Sequence, residues 1–185
     1  GWDAPALQAS SPAGVPWTVE ALTAYLRTGF SGGHGAAAGP MAPVTHALAQ
    51  VPEEDVHAIA VYIQSKLPAV VPAGAAGAPV DNNPVFAGAC GNCHAADAPM
   101  MLRGAPLLSA STAVNAPAPR NVINTILRGI PAREGVPGPA MPGFGGALSD
   151  QQVANLTRYV RAHFGRGPEW TDIESQVRLA RQDGG

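Results

Sequence analysis

Charge is scarce in this chain: only 13% of its 185 residues are Asp, Glu, Lys or Arg, and the formal net charge is −2. Neither a nucleic-acid surface nor a polyanion-binding protein is built this way, because both need a clear excess of cations. Aromatic residues are few, at 5%. No apolar run approaches the roughly 18 residues that would suggest a helix crossing a bilayer. The longest apolar stretch, 69–80, is short and broken by Pro and Gly. No basic–apolar leader opens the chain at Gly1. Strand-like alternation is missing too, and the periodic segments are helical. Cysteine is nearly absent, with two in the whole chain. What is abundant is Gly, 22 residues, and Pro, 19 residues, which together imply long loops between short helices.

Both cysteines fall in one pentapeptide, Cys90-Gly91-Asn92-Cys93-His94. Cys-x-x-Cys-His is the attachment signature of a c-type haem. Two thiols one helical turn apart match the spacing of the porphyrin vinyls, and the adjacent His supplies a proximal iron ligand. A structural zinc site needs a second ligand pair. His34, His46, His57 and His163 offer none at metal-finger spacing. A thioredoxin-like redox pair belongs in a βαβ context that this sequence does not show. One covalent haem c is therefore expected. A covalent haem also offers short helices a large apolar body to pack around. Attachment of this kind takes place outside the bacterial cytoplasm, so the chain is expected to be a processed or truncated product of an exported precursor.

Helical periodicity marks 17–29, where Val19, Leu22 and Leu26 share a face and Gly29 gives a stop. It marks 52–67, with Val56, Ile59, Ala60 and Ile63 apolar and Glu53, Glu54 and Asp55 favouring the first turn. It marks 84–95, which carries the attachment motif, and 120–130. Ser149 and Gln152 form a capping box that opens a helix to Phe164. Residues 169–181 read either as a short tail helix or as a flexible extension. Residues 30–43 and 131–147 read as loops carrying Met41 and Met141, and 100–118 also reads as loop.

Landmarks recur at nearly constant offsets. Pro5-Ala6-Leu7 and Leu26-Arg27 recur 101 residues on, as Pro106-Leu107-Leu108 and Leu127-Arg128. Met41 recurs 100 residues on as Met141, and Val56 and Tyr62 recur 97 residues on as Val153 and Tyr159. A repeated unit explains this better than coincidence in an Ala/Pro-rich chain. The expected organisation is all-α: a partial haem-domain unit at 1–67 without an attachment helix, a linker at 68–82, a haem-bearing unit at 83–165 and an extension at 166–185. The earlier unit's own Cys-x-x-Cys-His would lie before Gly1, so this chain is expected to be a fragment or a processed product. A degenerate, haem-free unit is the other reading.

Iron held by His94 has one more axial position. Met100 and Met101 follow His94 too closely to cross the ring easily. Met141, in Pro139-Ala140-Met141-Pro142-Gly143, is the preferred distal ligand over a role as core filler. Met41 is the corresponding ligand of a missing haem. Pro106 is a candidate carbonyl acceptor for the second imidazole nitrogen of His94, or an ordinary turn proline. Arg103 and Arg128 are either partners of haem propionates or solvated surface arginines. Phe86 and Tyr159 are expected where the first and last helices of the unit cross, or in its plain core.

Phe86-x3-Cys90-x2-Cys93-His94, the Pro106-x-Leu108 loop, Leu127-Arg128-Gly129, Ala140-Met141-Pro142 and Ser149-Asp150…Tyr159-Val160-Arg161 together resemble a class I cytochrome c domain. More narrowly, the chain is similar to multihaem cytochrome c subunits of bacterial membrane-associated dehydrogenases that oxidise alcohols, aldehydes or N-heterocycles. Tyr25-Leu26-Arg27-Thr28-Gly29, Gly39-Pro40-Met41 and Glu54-Asp55…Ala58-Ile59-Ala60-Val61-Tyr62 resemble the middle domain of such subunits. The resemblance covers about residues 1–165 and departs where the first unit lacks its attachment motif. It implies helical folds, a periplasmic location and electron transfer from a dehydrogenase catalytic subunit towards a respiratory acceptor, with no catalytic residues in this chain. The competing classes are a haem enzyme or a sensor with an open or labile sixth site, and a haem-free thiol protein.

Overall fold

The computed structural model describes residues 1–5, 15–68, 82–95, 98, 107–132 and 140–183. Apart from Pro68 and Asn82, the stretch read as a linker lies outside the described residues, as do Arg103, Pro106, Met100 and Met101.

Helix α1 spans Val19–Thr28. Thr18 caps it by accepting from the Ala21 amide, and Gly29 ends it at φ 73°, a left-handed stop that glycine adopts without strain. Two short strands follow, β1 (Phe30–Ser31) and β2 (Gly35–Ala36), paired antiparallel. Helix α2 spans Met41–Leu48 and α3 spans Glu53–Lys66. Leu22 and Leu26 of α1 pack on Val56 and Ala60 of α3, with Trp17, Tyr25 and Ile63 at the margin. Met41 is thus not in a loop, as the Gly-rich context suggests, but opens a helix. Pro43 is tolerated there because it falls in the first turn, where an amide has no helical partner to lose.

The second core is built differently. A π-wound turn, Phe86–Cys90, leads into a single α turn, α4 (Gly91–His94). After a 3₁₀ turn at Leu108–Ala110 come α5 (Thr112–Asn115), α6 (Arg120–Arg128), α7 (Asp150–Phe164) and α8 (Ile173–Gln182). The expected 84–95 helix therefore exists, but it is not α-helical throughout, and the expected 100–118 loop contains α5. Both halves of the Ser149–Gln152 capping box are present. Phe86 meets Tyr159 with ring centroids 5.0 Å apart, which pins the start of the motif segment to α7.

Of the two readings of the tail, the helix holds. Ile173, Val177 and Ala180 of α8 enter the same apolar cluster as Ile123, Ile126, Val153 and Leu156. Trp170 is buried ahead of them and donates its indole N–H to the Ala116 carbonyl at 2.9 Å. Arg161 of α7, only 4% exposed, makes this docking specific. Its Nε donates to the Pro168 carbonyl at 2.9 Å, one terminal nitrogen donates to the Val114 carbonyl at 2.7 Å, and its guanidinium lies 4.6 Å from the Trp170 ring. The extension is part of the second unit's core.

Both α1 and α6 end at a positive-φ glycine, Gly29 with φ 73° and ψ 13° and Gly129 with φ 72° and ψ −168°. An extended pairing follows each; after the first comes α2 and then the long helix α3, after the second the long helix α7. The amide of each glycine reaches back to the carbonyl four residues earlier, at 2.8 Å to Tyr25 and 2.9 Å to Thr125.

Two outcomes follow from this packing. Arg161→Met strands two carbonyls inside the protein and should lower second-unit stability by about 2–4 kcal/mol, read by denaturant unfolding. A change near zero would show that the carbonyls find water. In the first unit, His34 is buried, stacked on Trp17 at 3.5 Å, and its Nδ1 has no partner among the described residues. Burial pushes its pKa below the ordinary value, against a smaller upward pull from the Pro16 carbonyl. Between the folded pKa and the unfolded value of about 6.5, the unfolded chain binds more protons. Stability should therefore fall as pH drops below about 6.5. His34→Phe, which keeps the stacking, should reduce the loss in melting temperature between pH 7.5 and 5.5. An equal loss in both proteins would assign the effect elsewhere.

Candidate haem-attachment site

Asn83 begins the site. Its side-chain oxygen accepts from the amides of Val85 and Phe86, both at 3.0 Å, and its carbonyl accepts from the Ala87 amide. Asn followed by Pro84 is a strong helix start, because the side chain satisfies free amides and Pro presets φ. The segment then winds through the π turn, in which the Gly91 amide bonds the Phe86 carbonyl, and ends on the α turn of the motif. The Ala95 amide closes it on the Gly91 carbonyl at 2.9 Å.

The turn brings Cys90, Cys93 and His94 together as the sequence requires. Both thiols are free. Cys90 is buried in the second core, and Cys93 is half-buried. Burial first, and the neighbouring Cys93 second, push the Cys90 thiol above its ordinary pKa, so it is a neutral thiol at physiological pH. Burial pushes the His94 imidazole below its ordinary pKa, which favours the neutral form that can donate a lone pair to a metal. The Nδ1 of His94 is buried without a hydrogen-bond partner among the described residues. A buried imidazole nitrogen with no partner is costly unless something else satisfies it. Two unbridged thiols one turn apart, beside a neutral imidazole, fit a c-type haem. Cys90 and Cys93 would hold it through thioethers, and His94 would face its iron.

Met141 is held elsewhere in the same unit, on the turn that closes the end of α6. Its amide and carbonyl pair with the carbonyl and amide of Ile130, both at 2.8 Å. The Phe144 amide then bonds the Ile126 carbonyl at 2.9 Å, and the Gly145 amide bonds the Leu127 carbonyl at 3.0 Å. The turn approaches so closely that a Cβ on Gly129 would sit 2.3 Å from the Met141 carbonyl oxygen. Ile126 and Leu127 belong to the same apolar cluster as Cys90, so the motif and the Met141 turn are fastened to one core.

Arg128 is exposed and donates to the Ala180 carbonyl in the last turn of α8 at 2.9 Å. Its partner among the described residues is thus a helix end. Arg103 and Pro106 lie outside the described residues. Met41 is part of the first unit, 36% exposed at the start of α2. Sequence reasoning missed Arg181. From α8 it bonds Asp150 at 2.5 Å and the carbonyls of Gly145 and Leu148, each at 2.6 Å, and so ties down the far side of the Met141 turn. Only the amphipathic pattern of 173–182 hints at that role.

No described helix is long and apolar enough to cross a membrane. Residues 78–160 match the family described as cytochrome C oxidase, cbb3-type, subunit III. The whole chain is similar to a nicotinate dehydrogenase subunit of Pseudomonas putida, 38% identical over 195 residues, an alignment that covers 16% of that protein. It is also similar to the fructose dehydrogenase cytochrome subunit of Gluconobacter japonicus, at 29% identity with 96% of this chain and 44% of that protein covered. The gluconate 2-dehydrogenase cytochrome c subunit of Pantoea cypripedii is 29% identical, with 99% and 46% covered. The chain spans less than half the length of each of these relatives. The attachment pentapeptide lies inside the matched segment, so residues 78–160 are similar to a cytochrome c domain.

Proposed function

We propose that this chain relays single electrons through one covalently attached haem c, as an electron-transfer part of a dehydrogenase rather than a catalytic one. The observation that carries the reading is the Cys90–His94 turn, two free thiols beside a neutral imidazole whose Nδ1 has no partner among the described residues. The bound haem supplies one-electron iron chemistry, which the protein tunes through axial ligands, burial and hydrogen bonds. Cys90 and Cys93 anchor it, and His94 is the proximal ligand. Met141 is the distal ligand, on a turn held by the Ile130 pairing and by Arg181. A thioether there raises the potential and closes the iron to substrates. Cys90 itself is buried in the apolar cluster that also holds Phe86 and Leu127.

The partners in this reading are a dehydrogenase catalytic subunit as donor and a respiratory acceptor, meeting the chain in the periplasm. The named relatives support the donor class. Residues 1–67 are a second cytochrome c-like unit, in which Met41 corresponds to Met141. The glycine stops at Gly29 and Gly129 support that reading.

The reading is tested by intact mass and absorption of the chain produced with haem-attachment machinery. One added haem, a low-spin reduced α-band and a weak far-red band when oxidised are expected. Met141→Ala should remove the far-red band and lower the potential by on the order of 100 mV. High-spin iron in the parent protein would instead favour an enzyme or sensor with an open site, and a colourless product would end the haem reading. Gly129→Ala places a side chain at φ 72° and against the Met141 carbonyl. It should cost about 1–3 kcal/mol of stability and weaken the far-red band while leaving the haem attached. A variant with the parent's spectrum and melting point would show that the turn does not hold the ligand.

A further inference from the structure

Residues Gly1–Asp3 cross from one unit to the other. The Asp3 amide donates to the Asn121 side-chain oxygen at 2.9 Å, and the Asn121 side-chain nitrogen donates back to the Asp3 carbonyl at 2.8 Å. An amide side chain that exchanges two bonds with one residue imitates a strand neighbour and fixes the backbone in direction as well as place. One turn further along α6, the Asn124 side chain donates to the Gly1 carbonyl at 2.7 Å. Asn124 is fully buried, so that bond cannot be traded for water cheaply. The Asp3 carboxylate is 3.7 Å from Arg120, an exposed pair that adds little.

Between these anchors, Trp2 reaches into the first unit. Its indole lies on Gly39, where a Cβ would sit 2.5 Å from the ring and φ is +53°. Gly39 is two residues before Met41. At the other end of α6, Gly129 and Ile130 hold the Met141 turn.

We propose that Gly1–Asp3 is a strap that fixes the orientation of the 1–67 unit against the 83–165 unit, with Trp2, Asn121 and Asn124 as its positioning residues. The start of α2 at Met41 and the Met141 turn are thereby carried in one frame. This inference rests on the fold alone and holds whether or not the iron is ligated as proposed above.

Residual dipolar couplings of amides in α3 and α7, measured on the purified reduced protein, test it. One alignment tensor is expected to fit both helices in the parent. Asn121→Ala and Trp2→Ala should each require two tensors, and Asn121→Ala should speed exchange of the Asp3 amide at least tenfold. Unchanged amide shifts in α7 and α8 establish that the second unit is intact. Should Asn121→Ala unfold it, Trp2→Ala decides the matter, since its ring packs on the first unit. Two tensors in the parent, or one tensor in a folded variant, overturns the strap. The visible spectrum reports separately on the haem.

Discussion

A helix that ends inside a protein must find donors for its last carbonyls. The end of α6 finds them in the chain that follows it. Gly129 bonds back to Thr125, the Phe144 and Gly145 amides take the carbonyls of Ile126 and Leu127, and Met141 exchanges two bonds with Ile130. The same bonds that satisfy the helix place the methionine. The requirement for a bare Cα at Gly129, the grip of Arg181 on Gly145 and Leu148, and the docking of α8 all serve this closure. The second unit is organised from that end as much as from the cysteines.

The parts legible in the sequence were those whose causes are local. The attachment pentapeptide, the helices at 19–28, 53–66, 120–128 and 150–164, and the Ser149–Gln152 box are fixed by spacing and by neighbours within one or two turns. The Gly-rich run from Phe30 was less legible. Its short strand pair depends on closing back over α1, where the Ala37 amide meets the Gly29 carbonyl, and no local preference announces that. Helix α2 was hidden by Pro40 and Pro43, which read as loop unless a helix is known to start between them.

The arginines show the limit of reading charge from sequence. Arg128 reads from sequence either as a partner for haem propionates or as a solvated surface arginine, and neither reading includes its bond to a carbonyl in α8. Arg161, part of a family-like Tyr-Val-Arg string, is buried against Trp170 and carbonyls 7 and 47 residues away. Four of the described arginines, Arg27, Arg128, Arg161 and Arg181, satisfy backbone oxygens that loops and helix ends leave open. That use is long-range and leaves no pattern in sequence.

The π-wound turn ahead of the motif bears on how the chain tolerates changes in length. Five residues there occupy a loop that an α-helix closes with one fewer. Gly88, at its middle, has nothing within 4 Å of where its side chain would be. Removing one residue between Asn83 and Cys90 would leave the cap and the pentapeptide joined by an ordinary α-helix. The turn is a slack stitch, holding one residue more than the path to the thiols requires.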